Sequence, residues 1–204
     1  MAIEIGAEPG RRERKRLQTH DALRDAAIRL FLRKGFDATT VEDITEAVDV
    51  SPRTFFRHYA SKEDVVFGGH EVQFELLGQA LANRPDDEPV LASVREAILS
   101  LADVLEAERG RIFVQAQLVA TSPALAARSV QVRGRLSDVV ANHVARRLDV
   151  DRTVDVRPAV VSGAVVGALG AAIDTWVTSG AEGRLAGRVS QALELLDRGF
   201  GLDP

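Results

Sequence analysis

Two arginines four residues apart, Arg53 and Arg57, lie in a segment that begins with Ser51-Pro52. A serine before the first helical residue and a proline at that residue predict the start of a helix, which we expect to span 52–59. At about 100° per residue, both arginines share one side of this helix. A guanidinium group can bind O6 and N7 of one guanine at the same time. The pattern therefore predicts base recognition in the major groove of DNA.

The other side chains of this helix divide between its remaining faces. Phe55 and Tyr59, four residues apart, are predicted to pack inward against apolar residues of the preceding helix. Thr54 and His58 lie beside the arginines, where the Thr54 methyl group can contact a thymine methyl group. Phe56 lies on the flank. A solvated helix face that happens to be basic is the alternative interpretation.

Basic charge is concentrated near the N-terminus, although the whole chain of 204 residues carries a formal net charge of −4. Residues 10–34 contain nine Lys or Arg and three Asp or Glu, whereas residues 65–204 carry the whole deficit. An anionic partner is therefore expected for the front of the chain, unless the basic run 11–16 is a solvated tail. Phosphate contacts are predicted for Thr39, Thr40, Tyr59 and Lys62.

Capping patterns place further helices around the arginine-bearing helix. An amphipathic helix through residues 23–31 is expected first, because its apolar side chains recur at helical spacing. Thr40, followed three residues later by an acidic side chain, predicts a short helix over 41–48. A third capping pattern predicts one long connecting helix over 61–83. Two short helices joined by a tight turn and flanked by longer ones constitute a helix-turn-helix.

Beyond residue 83 the apolar residues also recur at helical spacing, and no segment shows the alternation that a strand requires. We therefore predict an all-α protein of about nine helices. The helices expected after the connecting helix are 90–108, 112–120, 124–148, 159–178 and 185–200.

Two stretches, 35–41 and 51–64, closely resemble the DNA-binding domain of the tetracycline-repressor (TetR) family. The resemblance covers roughly residues 15–65 and implies a three-helix DNA-binding head, a six-helix variable C-terminal domain, and a homodimer on a palindromic operator. By motif position the expected DNA contacts are Thr40, Arg53, Thr54, Phe56, Arg57, His58 and Lys62; the helix start Ser51-Pro52 and Tyr59 complete the predicted DNA-binding residues.

Three positions depart from the pattern of the family. Asp49 stands where a turn glycine is usual, so it is expected to adopt a left-handed conformation. Arg53 replaces a residue that is commonly small. Phe56 replaces a frequent tyrosine, and a phosphate hydrogen bond is therefore not expected at this position. The operator cannot be transferred from relatives.

The C-terminal half resembles family members with an acyl-CoA-like ligand-binding domain, the mycofactocin-regulator subgroup. The similar stretches are 104–109, 118–125 and the Ala/Gly-rich helix that ends in Trp176. The resemblance implies a hydrophobic effector such as a fatty acyl-CoA, whose binding relieves repression. Candidate pocket residues, for which a structural role is the alternative, are Gln115, Gln117, Asn142, Asp174 and Trp176.

The expected domains are a disordered tail (1–10), a helix-turn-helix DNA-binding domain (11–60), and a helical ligand-binding and dimerisation domain (61–204).

Residues 159–173 contain one polar side chain, Ser162, and three glycines along one side. Gly163 and Gly167 have the spacing that permits close helix crossing in membranes, but the run is shorter than the roughly 20 residues a bilayer needs. We therefore predict a buried dimer helix and no membrane span. In the family the last two helices usually form an intersubunit four-helix bundle, which residues 159–200 are expected to build. The small residues expected at the crossing are Gly163, Gly167, Gly170 and Ala171.

Several functional classes are excluded or not expected. The chain has no cysteine, which excludes disulfides, thiolate metal sites and thiol nucleophiles. We expect no metal, no cofactor and no enzymatic activity, because no catalytic motif occurs and the histidines lack ligand spacing. The four histidines, expected to be surface or contact residues, are His20, His58, His70 and His143.

No export signal is visible, so the expected location is the cytoplasm. The alternative function is a non-sensing architectural DNA-binding protein with little sequence preference.

Overall fold

The computed structural model describes residues 10–198, and this range contains ten α-helices and no strand. The prediction of an all-α fold is confirmed. The expected tail, except Gly10, and the expected last turn at Phe200 lie outside the described residues. The helices are α1 (Arg11–Lys34), α2 (Val41–Glu46), α3 (Pro52–His58), α4 (Lys62–Phe67), α5 (His70–Ala82), α6 (Val90–Ala107), α7 (Arg109–Thr121), α8 (Pro123–Leu148), α9 (Arg157–Thr178) and α10 (Leu185–Asp197).

The tenth helix arises because the predicted connecting helix is divided. Helix α4 ends at Phe67 and α5 begins at His70, with Gly68 and Gly69 between them. Gly69 has φ 96°, which an α-helix cannot contain and which favours glycine. The structure thus differs from the single helix expected over 61–83. The chain also divides at this point into two compact units, the first ending at Gly68 and the second beginning at Gly69.

Helix α1 is longer than the periodicity of its apolar residues suggested. It begins at Arg11, so the basic run 11–16 forms its first turns and its described side chains are exposed. The helix ends where Gly35, with φ 89°, donates its N–H to the carbonyl of Phe31. The predicted apolar stripe is buried together with side chains of α2 and α3. The main members of this core are Leu23, Ala26, Ala27, Leu30, Phe31, Ile44 and Phe55.

The second unit packs α5–α10 around one hydrophobic core. Its largest fully buried side chain is Trp176 of α9. Helix α9 is long and apolar enough to cross a membrane by length and composition, and 33% of its most apolar 18-residue stretch is buried. Its buried side chains include Val165, Val166, Leu169, Ala172 and Trp176, whereas the opposite face is exposed and carries small residues.

Helix α10 depends on another helix for its N-terminal cap. The residue before it, Arg184, makes no side-chain capping bond in the described chain. Instead, the carboxylate of Glu106 on α6 accepts the backbone N–H groups of Leu185 and Ala186, the first two residues of α10. A negative charge at a helix N-terminus also complements the helix dipole. Glu106 therefore fixes the start of α10 against α6.

His143 was expected to be a surface or contact residue, and the structure corrects this expectation. Only 3% of the residue is exposed, and its Nε2 lies 2.9 Å from the hydroxyl of Ser93. The Ser93 hydroxyl donates to the carbonyl of Val90, so Nε2 must donate to Ser93 and Nδ1 accepts from Arg146. These bonds require the neutral ring. Burial first, and then Arg146 and Arg147, lower the pKa of His143.

Candidate DNA-binding site

A tight turn sets α3 against α2. Asp49 has φ 54°, which confirms the left-handed conformation expected from the sequence. Val50 then donates its N–H to the carbonyl of Thr45 at 3.0 Å and closes the turn. The hydroxyl of Ser51 accepts the N–H of Thr54 at 3.3 Å and caps α3. The start of α3 is therefore determined by local side chains.

The faces of α3 are arranged as its sequence predicts. Phe55 is fully buried, whereas Arg53 and Arg57 are exposed. Phe56 is 57% exposed, and its ring stands edge-on against Phe55, with 5.4 Å between ring centroids. Thr54 is partly buried beside the arginines. Two exposed guanidinium groups and one exposed aromatic ring thus project from a helix that is anchored by a buried ring.

Tyr59 is held in the core of the first unit. Its hydroxyl donates to the carbonyl of His20 at 3.1 Å, and its ring stacks on the His20 ring at 4.7 Å. Burial raises the pKa of Tyr59 well above its usual value. The hydroxyl is already engaged in a contact that joins the end of α3 to α1. A phosphate contact through this group would require that bond to break.

Lys62, a predicted phosphate contact, also has protein partners. Its ammonium group donates to the carbonyls of Phe36 and Thr39, at 2.9 and 3.0 Å, and lies 4.3 Å from the centroid of the Phe36 ring. These bonds hold the loop between α1 and α2. An ammonium group has three N–H donors, so one remains for a phosphate oxygen.

Thr40 caps α2 and is joined to α1 through Asp43. Its hydroxyl accepts the N–H of Asp43 at 3.1 Å, and the Asp43 carboxylate accepts the N–H of Thr40 at 2.7 Å. The same carboxylate accepts from Lys34 at 2.6 Å. These bonds, with Lys34 the largest cause, hold the pKa of Asp43 well below its usual range. The predicted capping box is confirmed.

A cationic corner connects α3 to the basic end of α1. The rings of His58 and His20 are 6.1 Å apart between centroids. Burial lowers the pKa of His58, and the charges of Arg57, His20 and Arg16 lower it further. Arg16 is therefore close enough to His58 to act on it electrostatically. No sequence pattern indicates this neighbourhood, because residues 16 and 20 are far from residue 58 along the chain.

The candidate pocket residues occupy different environments. Trp176 is fully buried, and its indole N–H donates to the carbonyl of Gly183 at 3.4 Å. Gln115 is partly buried and lies 3.5 Å from the imidazole of His70. Gln117, Asn142 and Asp174 are exposed, and Asn142 accepts a hydrogen bond from Arg152. The five candidates thus differ in burial, from the fully buried Trp176 to three exposed side chains.

Two stretches that carry the C-terminal resemblance meet in space. Arg109 lies over the ring of Trp176, 5.6 Å from its centroid, and donates to the carbonyl of Ala181 at 2.7 Å. Phe113 of α7 contacts the same indole edge-on, with 6.2 Å between centroids. Together with Glu106, which caps α10, this motif holds the end of α9 and the start of α10 against α6 and α7.

The residues predicted at the dimer crossing lie on one face of α9. Gly163, Gly167 and Ala171 are exposed, and Gly170 is partly exposed. A Cβ atom added to any of these three glycines would meet no heavy atom of the described chain within 4 Å. Gly187 of α10 is equally open and exposed.

No group of three metal-ligating side chains occurs between residues 10 and 198.

A short capped helix with exposed arginines, set by a tight turn against a second short helix, defines a DNA-binding head of the helix-turn-helix class. Comparison with known proteins supports this class. The model of tetR-family bacterial regulatory proteins matches residues 23–67, and the model of the MftR C-terminal domain matches residues 88–201. The chain belongs to the TetR family of transcriptional regulators.

Two curated relatives match most of the chain. TcmR of Streptomyces glaucescens, an HTH-type transcriptional regulator, is 39% identical over 160 residues, which are 74% of this chain and 69% of TcmR. MftR of Mycobacterium tuberculosis, named as a mycofactocin biosynthesis transcriptional regulator, is 30% identical over 164 residues, 80% and 82% of the two chains. The crystal structure of Thermus thermophilus FadR with lauroyl-CoA has a TM-score of 0.58 at 22% identity, covering 91% of this chain and 96% of FadR.

Proposed function

We propose that this regulator is a homodimeric repressor that binds a palindromic operator and is released by a hydrophobic effector. The observation that carries the DNA-binding part is the exposed arginine face of α3. Arg53 and Arg57 project from a helix that Ser51 caps and Phe55 anchors, so they enter a groove without reorganising the head. Thr54, Phe56 and His58 lie beside them, whereas Thr40, Ser51, Pro52 and Lys62 approach the phosphates.

The homodimer is proposed to form through α9 and α10. The exposed face of α9 carries Gly163, Gly167 and Ala171, and Gly187 of α10 is exposed as well. These small residues would allow two copies to approach closely. An apolar helix with such a face also suits a membrane, but the large side chains of its other face pack into the protein core. A second copy of this chain is therefore the proposed partner, and the protein acts in the cytoplasm on DNA.

The effector is proposed to be a fatty acyl-CoA or another hydrophobic small molecule. The chain shares its fold with a FadR structure that contains lauroyl-CoA, and its second unit is a wholly helical layer around an apolar core. Two reading heads must meet successive major grooves, about 34–36 Å apart. A ligand that binds better to a conformation with a different spacing would release the operator, because it shifts the equilibrium between the two conformations.

An architectural DNA-binding protein without a sensor is the second candidate. It predicts similar affinity for all duplexes and no response to a ligand. The test is selection of bound duplexes from a random library, followed by competition between the selected duplex and random DNA at one salt concentration. A palindromic consensus bound at least a thousandfold more tightly than random DNA supports the proposal. Equal competition by random DNA would refute it.

A further inference from the structure

Gln73 presents a buried hydrogen-bond donor to the interior of the second unit. It lies on α5, and only 7% of the residue is exposed. Its side-chain Nε2 is buried and has no hydrogen-bond partner among the described residues. Buried donors without partners destabilise a folded protein and are rare. The Nε2 group of Gln73 therefore requires a hydrogen-bond acceptor that the described residues do not supply.

A second polar group, the imidazole of His70, lies one turn before Gln73 on the same face of α5. The side-chain nitrogen of Gln115, on α7, is 3.5 Å from Nε2 of His70. Arg111 donates to the amide oxygen of Gln115, also at 3.5 Å, which orients the amide so that its nitrogen faces His70. An amide nitrogen only donates, so Nε2 of His70 accepts. Both contacts are at the long limit for hydrogen bonds. A polar group of a ligand can therefore replace either of them at little cost in free energy.

The charged side chains beside this cluster are paired. Arg111 bonds the carboxylate of Glu108. Arg135 of α8 lies 5.1 Å from the centroid of the Phe74 ring and bonds both carboxylate oxygens of Glu71. A ligand carboxylate would give up its hydration and meet guanidinium groups that are already neutralised. A neutral carbonyl oxygen accepts the amide N–H without this penalty.

Apolar side chains of α5 and α7 flank the cluster. Phe74 and Ile112 are buried, and Phe113 contacts Trp176. Within α7, which is described over its full length, only Ile112 and Leu118 are buried.

We infer that Gln73, with the His70–Gln115 pair, binds the polar group of the effector, and that this group is a neutral carbonyl oxygen on an apolar body. A thioester or ester is therefore a ligand, whereas the corresponding free acid is not. The inference rests on the proposed sensing function and names the chemistry of its site. It also makes α5 and α7 the helices that the effector joins.

The test uses the full-length protein and the fluorescence of Trp176, the single tryptophan of the chain. Lauroyl-CoA, methyl laurate and laurate are titrated below their aggregation limits. The two neutral carbonyl compounds are expected to bind at least tenfold more tightly than laurate. Gln73→Met, which keeps the side-chain volume and removes the amide, should weaken binding of lauroyl-CoA at least tenfold, or about 1.4 kcal/mol. The matched control is Gln79→Met, at an exposed position of the same helix, which should bind as the wild type does.

Thermal unfolding without ligand gives an independent measurement. Because the unpaired donor is removed, Gln73→Met should raise the melting temperature, whereas Gln79→Met should leave it unchanged. A lower melting temperature of Gln73→Met would show that its amide already has a partner, and would overturn the inference. Tight binding of laurate would overturn the neutral carbonyl.

The DNA assay separates failure of this inference from failure of the proposed function. If lauroyl-CoA releases the selected operator equally well from wild type and Gln73→Met, the site is wrong and the sensing function stands. If none of the three compounds binds or releases DNA, both the acyl effector and this site are refuted. Sequence-specific DNA binding is then still decided by the library selection alone.

Discussion

Gly167 lies on the exposed face of α9. Its replacement by leucine tests whether this face contacts a second subunit or only residues of its own subunit. Within the subunit, a Cβ atom at this position meets no described heavy atom within 4 Å. The leucine should therefore fit into the unassociated chain, and the helix gains up to about 1 kcal/mol of propensity over glycine. The folded unit should be as stable as the wild type or slightly more stable.

The effect on the dimer has the opposite sign. Overpacking a tight contact costs about 1–3 kcal/mol for one side chain. A two-fold axis introduces the change twice, so the dimer should be destabilised by about 2–6 kcal/mol. Since about 1.4 kcal/mol changes an equilibrium constant tenfold, the dissociation constant of the dimer should rise by roughly 30-fold to more than 10⁴-fold. One head alone makes half of the operator contacts, so binding to a palindromic duplex should collapse while weak binding to random DNA survives.

Sedimentation velocity over a concentration series measures the first part, and a titration with the selected palindrome measures the second. The matched control is Gly134→Leu, which makes the same substitution at an exposed, open glycine within α8. The control should remain dimeric and bind the operator normally. A Gly167→Leu protein that is fully dimeric with normal operator affinity would show that this face of α9 does not lie in the subunit contact.

The remaining predictions concern DNA recognition and pH. Arg53→Ala should cost about 1–3 kcal/mol on the selected duplex and relax preference at one base pair, whereas an equal loss on random DNA would mean that Arg53 contacts only phosphate. Deletion of residues 1–16 should weaken binding to all duplexes and reduce the salt slope by about 0.9 for each phosphate that the shortened protein no longer neutralises; an unchanged slope would mean that the basic turns of α1 are merely solvated. The pKa of His143 is lowered in the folded state, so the unfolded chain takes up the proton first. The unfolding free energy should therefore fall as pH drops below about 6.5 towards the folded pKa, by up to about 1.4 kcal/mol per pH unit for this group. His143→Gln should show a smaller decline in urea unfolding between pH 7 and pH 5, and an identical decline would contradict the burial of a neutral ring.

The parts of the fold that sequence could predict depend on neighbouring residues. The caps at Thr40 and Ser51 act on a backbone N–H three residues away, and the apolar stripe of α1 repeats every three or four residues. The left-handed turn at Asp49 is equally local. These features follow from side-chain chemistry within one or two helical turns, so the helix starts and the turn of the DNA-binding head are predictable from their own segments.

Most of the rest depends on partners that are distant in sequence, and the break between α4 and α5 depends on a backbone conformation. Periodicity continued through Gly68 and Gly69, although the left-handed backbone of Gly69 ends the helix there. His143 bonds Ser93, which lies 50 residues earlier, and no local pattern marks that pair. The engagement of Tyr59 with His20 likewise spans 39 residues. An exposed polar residue and a buried, satisfied one look the same in a sequence, and only packing distinguishes them.

The cap that Glu106 supplies to α10 has a consequence for the order of synthesis. A helix of 13 residues is marginal on its own, and α10 has to wait for docking on α6 before its first N–H groups are bonded. The ribosome adds about 5–20 residues per second, so α6 is finished several seconds before its partner emerges. The DNA-binding head can therefore fold on the nascent chain while α10 is still unmade. A translation product truncated before Leu185 would carry a complete head without the last helix and would have an exposed apolar surface for quality-control proteases.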